Sequence, residues 1–77
     1  MMGRGGYRVG QMVGVDPGYH SGIWLRSEAD LSRCVDSVHV PAGSRMLILE
    51  VSGNSVMVIG EGGVVGWTWM NRLRRLD

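Results

Sequence analysis

Lysine and phenylalanine are both missing from this 77-residue chain, and cysteine occurs once. Without lysine, all eight basic residues are arginine, a bias that codon usage explains as readily as a need for bidentate contacts. Without phenylalanine, the bulky apolar load falls on six methionines and three tryptophans. The single cysteine, Cys34, excludes an internal disulfide and reads as a small core hydrophobe. Charge excess is missing too. A formal net charge of +1 is too balanced for a strong polyanion binder. No apolar run approaches the roughly 20 residues of a membrane-spanning helix, so no membrane partner is expected. The opening stretch MMGRGGYRVG lacks the apolar core of a signal peptide. The expected location is therefore the cytoplasm or the inside of a phage particle, reached without signal-peptide secretion.

Catalytic signatures are equally scarce. No nucleophile motif, phosphate loop or paired carboxylate stands out. Asp16, Glu28, Asp30 and Asp36 fall in expected loops and read as solvated acids. His20, His39 and Cys34 are metal ligands by type, but no pair of them has zinc-like spacing. Neither a metal nor a cofactor is expected, and the chain reads as a non-enzyme. An enzyme would need a site assembled between copies.

What is present is glycine, thirteen of them, between short runs of Val, Ile, Leu and Trp. That pattern favours strands over helices. Residues 1–6 read as a flexible arm, and 7–77 as a single domain. The expected strands are 7–16, 23–27, 35–40, 45–52, 55–60 and a final one over 64–69. PGYHSG (17–22), PAGS (41–44), GN (53–54) and EGG (61–63) supply turn chemistry between them. Only EADLSRC (28–34) has helical character, enough for one turn or a loop. MNRLRRL (70–76) reads as a short helical turn, with Leu73 and Leu76 three apart on one side. Five or six short strands in so small a chain manage their edges best by closing into a barrel.

LRS (25–27) ends a strand in an Arg-Ser pair, and VPAG (40–43) is an apolar-Pro-x-Gly turn. The 45–59 hairpin follows, and GW (66–67) is followed six residues on by Leu73. In this order the four features resemble the Src-homology-3-like small barrels, and most closely the bacterial Src-homology-3 domains, with their Arg-Ser strand end, Pro-x-Gly turn, hairpin, and Gly-Trp strand with a closing leucine. The opening RVGQMVGVDPGYHSG also resembles first strands of nucleic-acid-binding and ribosome-associated barrels of this topology. The resemblance covers residues 22–73 and implies an all-β, five- to six-stranded barrel with a short closing helical turn. Three positions depart from the pattern: Glu28-Ala29 replaces Gly-Pro, Thr68 replaces an apolar core residue, and Ser55-Val56 stands where a tryptophan often begins the hairpin's return.

Two constellations carry the functional expectation. Trp67 and Trp69 share one face of a strand, because side chains alternate. Both could be core, but an 8.4 kDa barrel has little room for two inward indoles on one strand. At least one is therefore expected to be exposed, or buried against another subunit. With Trp24 and Tyr19 they form a candidate protein-binding patch, since tryptophan is enriched among interface anchors. The second constellation is basic. Residues 1–8 and 71–77 each carry +2, against −3 for 9–70. If the two ends meet, Arg4, Arg8, Arg72, Arg74 and Arg75 form one patch suited to phosphates, which makes nucleic-acid binding the alternative. The leading expectation is a non-enzymatic protein-interaction or assembly module that binds a protein partner, including itself. A small accessory or structural protein of a phage or mobile element fits its size.

Overall fold

A computed structural model describes residues 6–28 and 36–76. The expected arm (but for Gly6), the stretch 28–34 expected to have helical character (but for Glu28), Arg4, Asp30 and Cys34 lie outside them, as does Asp77.

The chain is all-β. Seven strands follow in order among the described residues: β1 Met12–Val15, β2 Ile23–Arg26, β3 Ser37–Val40, β4 Arg45–Ser52, β5 Ser55–Gly60, β6 Val65–Trp69 and β7 Leu73–Arg75. They form one antiparallel sheet ordered β3-β2-β6-β5-β4-β1-β7. The pairing runs from β3 at one edge to β7 at the other, and no ladder joins these two edges, so the sheet is not closed. The seventh strand corrects the expectation of five or six. The first strand is also shorter than expected, since Tyr7 to Gln11 approach it as irregular chain.

The chain end is the main local correction. Of the stretch 70–76, Met70–Arg72 alone form a helical turn, of 3-10 type like the one at Glu61–Gly63. Leu73, Arg74 and Arg75 then extend as β7 beside β1, with Val15 opposite Leu73, Gly14 opposite Arg74 and Val13 opposite Arg75. In a strand, residues three apart point to opposite faces. Leu73 is accordingly buried, whereas Leu76 is exposed rather than tucked in beside it. The pull toward a strand comes from β1, whose second edge β7 satisfies, and that pairing is invisible in a local window.

Among the described residues, nine aliphatic side chains and one thioether make the core: Val13, Val15, Ile23, Leu25, Val40, Met46, Ile48, Val56, Val58 and Leu73. They alternate along their strands and define the inner face. No second layer is present among the described residues, so near-complete burial of these groups requires the sheet to coil over its own inner face. Tyr7, Tyr19, Val64 and Met70 pack against the rim of this cluster.

Turn and bulge chemistry sets the alternation. Gly53 has φ +58° and Asn54 a negative φ, the order a type II′ hairpin turn requires. Gly43 at φ +88°, with Ser44 N–H donating to Pro41 O, makes PAGS a type II turn. A bulge in β4 lets both Leu49 and Glu50 oppose Met57. Unbroken alternation from Ile48 would have sent Glu50 into the apolar inner face. The extra residue turns its carboxylate outward.

Candidate interaction face and basic chain end

The position of the tryptophans follows from one glycine. Gly66 lies where β6 crosses β2, and a Cβ there would sit 2.6 Å from Leu25 Cβ and 3.0 Å from Arg26 O. Only glycine permits that approach, so position 66 faces inward. Thr68, two residues on, faces inward with it and is 1 % exposed. Val65, Trp67 and Trp69 are thereby placed on the outer face. Trp67 is half-buried there, and Trp69 is 39 % exposed. Trp24 is outward on β2, between buried Ile23 and Leu25, and is 52 % exposed. All three indoles therefore stand outside the core. Thr68 bears the consequence, since its buried Oγ1 has no hydrogen-bond partner.

Tyr19 belongs elsewhere. Its ring packs against the core cluster from the 17–22 loop, and the Arg72 guanidinium lies over it, 5.7 Å from the ring centre. It is part of the rim of the inner cluster and not of the tryptophan face. Trp24 instead meets His39, opposite it on β3, edge to face at 5.0 Å. His39 Nε2 lies 2.6 Å from Ser21 O, so that nitrogen carries the proton and donates.

The register joins the outer side chains into rows. In one row Arg26 on β2 is opposite Trp67 on β6, Trp67 is opposite Met57 on β5, and Met57 is opposite Glu50 on β4. In the next, Val65 is opposite Ile59, Ile59 opposite Leu47, and Leu47 opposite Met12 on β1. The Leu76 N–H donates to Met12 O and extends this second row to the chain end. Five aliphatic or thioether side chains thus cross four neighbouring strands and the residue that follows β7, all partly or well exposed. Sequence inspection missed Met12, Arg26, Leu47, Glu50, Met57, Ile59 and Val65 as face residues. The available signal was the apolar character of 45–52 on both faces.

Among the described residues, Tyr7 meets the last strand. Tyr7 donates its hydroxyl proton to Leu73 O at 2.9 Å, and the Arg75 guanidinium lies 5.9 Å from the Tyr7 ring centre. Burial pushes the Tyr7 phenol above its ordinary value of 10.0, against the opposing pull of Arg75 and with a smaller push from Asp16. The arginines nevertheless diverge. Arg72 covers Tyr19, Arg75 covers Tyr7, and Arg74 points into a separate cavity shared with Arg45. Arg8 is exposed beside the irregular first segment.

No group of three His, Cys, Asp or Glu among the described residues could hold a metal ion. No helix among them is long and apolar enough to cross a membrane. No family model, curated protein or solved structure matches the chain.

Proposed function

We propose that the chain is a non-enzymatic assembly module, a Src-homology-3-like barrel that associates with a second copy of itself through the outer face around Trp67. Supporting the fold are the β4-β5-β6 meander, the 3-10 turn after β6, and a last strand that returns to β1. The row Arg26–Trp67–Met57–Glu50 carries the self-association. It reads cation, aromatic, thioether, anion across four adjacent strands. Neither charged end has an ion-pair partner among the described residues.

Such a row is complementary to its own reverse. A two-fold axis parallel to the strands, passing between β5 and β6, lays Arg26 over Glu50 of the second copy and Trp67 over its Met57. The same rotation lays Val65 on Ile59. Each contact then occurs twice, as an isologous interface requires. Sulfur–aromatic contact and apolar burial supply the attraction. The exposed ion pairs add little affinity and serve to fix the register. Two sheets pack face to face with strands within about 30° of aligned, which this arrangement allows.

Sedimentation velocity tests it. The wild type is expected to sediment as a dimer, and Arg26→Glu or Glu50→Arg alone to weaken it. The double reversal is expected to restore the dimer, because the pairs re-form with opposite polarity. A strict monomer at every concentration sinks self-association. A dimer that neither single reversal weakens, or that the double reversal fails to rescue, sinks this face.

A further inference from the structure

We propose that the notch between Arg45 and Arg74 is a binding site for a phosphate dianion. It lies toward the β7 edge, apart from the Trp67 row, and its existence does not depend on self-association.

Three strands build it. Gly14 on β1 is opposite Arg45 on β4 and also opposite Arg74 on β7. Residues opposite one another project from the same face, here the outer one, as the exposure of both arginines shows. The middle member of the row has no side chain; Leu76 lies over its buried backbone, and both arginines line a gap beside it. The gap is a cavity of about 210 Å³ whose wall includes Ser44 and Leu76. A Cβ at position 14 would lie 3.2 Å from Leu76 Cδ2 and 3.4 Å from Ser44 O, so a side chain there would press on the cavity wall.

The donors at this gap are uncommitted. Arg45 and Arg74 have no carboxylate within ion-pair distance among the described residues, in contrast to Arg72 and Arg75, whose guanidinium groups rest on tyrosine rings. The Ser44 N–H closes the PAGS turn on Pro41 O, which leaves its hydroxyl as a third donor on the wall. Two like charges across one glycine repel each other, and an anion between them removes that repulsion.

Geometry selects the anion's class. Strands lie about 4.8 Å apart, so the two arginine Cα atoms are separated by roughly two strand spacings, a span across which two forks can reach one anion from opposite sides. A planar carboxylate offers one bidentate edge and satisfies one fork. A tetrahedral dianion offers separate oxygen pairs to both forks and a further oxygen to a hydroxyl. A small phosphate is favoured over a nucleic-acid strand because no aromatic side chain lines the notch to stack a base.

Amide NMR titration of the full chain tests this, with inorganic phosphate as the probe and acetate and a single-stranded oligonucleotide as comparators at low salt. Saturable shifts of the Gly14 and Ser44 amides with phosphate are expected, with acetate weaker. Arg45→Gln or Arg74→Gln is expected to weaken phosphate about tenfold or more, the loss of a charge-assisted pair. Both positions are exposed, so either variant should keep the wild-type melting curve, and either alone suffices. Arg8→Gln is the control and should leave binding unchanged. The site is overturned if phosphate shifts fail to saturate, if acetate binds as tightly, or if Arg8→Gln costs as much as Arg74→Gln. Oligonucleotide binding that is tighter than phosphate and lost on changing Arg8 or Arg75 would also overturn it, in favour of a polyanion surface along the chain ends.

Discussion

On the inner face of the sheet the side chains are aliphatic, mid-sized and almost wholly covered; on the outer face they are larger, include every tryptophan, and remain partly wet. Hydrophobicity alone does not produce that division, since indole is as apolar in bulk as leucine. Space does. The inner face is a single coil of short strands, and at Gly66 it excludes even a methyl group. The molecule fills its core with Val, Ile, Leu and Met and leaves its largest apolar surfaces outside, where a second surface can cover them. In a domain this small, a core of short aliphatic side chains contributes modest stability, and an outer apolar face is a natural place to gain more.

Deleting side chains on each face should separate the two roles. Leu25→Ala removes a fully buried side chain at the β2–β6 crossing and is expected to cost about 2–5 kcal/mol, read from urea unfolding. Trp69→Ala removes many more atoms from the outer face, yet should cost only about 1 kcal/mol or less when measured on the dissociated chain. Equal losses at the two positions would mean that the outer face carries folding energy comparable to the core.

A second change probes the one polar intrusion into the inner face. Thr68 is buried with its hydroxyl unpartnered. Valine has the same branched shape without the oxygen, so Thr68→Val should stabilise the fold by about 1–2 kcal/mol, the desolvation cost of an unmet hydroxyl. A raised urea midpoint at unchanged slope would confirm it. Destabilisation would mean that Thr68 Oγ1 is satisfied by solvent.

The division of faces was only partly legible in the sequence. Strand runs such as RMLILEVS and SVMVIG, bounded by Gly and Pro turns, mark β4 and β5 closely, and Leu73 is legible as a closing core residue. The shared side of Trp67 and Trp69 follows from alternation. Which side it is depends on Gly66 meeting Leu25 across a strand pair remote in sequence. The bulge that rescues Glu50 from the core, the extension of 73–75 along β1, and the Arg45–Gly14–Arg74 row are likewise products of register between distant segments. Composition and local periodicity carry no trace of register, so the face residues and the notch were out of reach.

The smallest expected effect lies where the two regimes meet, at Tyr7, whose ring leans on the core while its hydroxyl holds the last strand. Tyr7→Phe keeps the ring and loses the hydrogen bond to Leu73 O, so it should cost about 0.5–1.5 kcal/mol near neutral pH. Its sharper signature is in alkali. The folded phenol keeps its proton to higher pH than the unfolded chain does, because burial outweighs the attraction of Arg75. Stability from this group is therefore complete below about pH 10 and falls as pH rises toward and through the folded value, where the unfolded state has already gained by ionising. Phenylalanine has no proton to lose, so the gap in stability between wild type and variant should narrow above about pH 10. Urea midpoints of both proteins across the alkaline range measure that gap. A gap that stays constant would place the Tyr7 hydroxyl in water rather than against β7, and would make the contact between Tyr7 and the last strand one of packing alone.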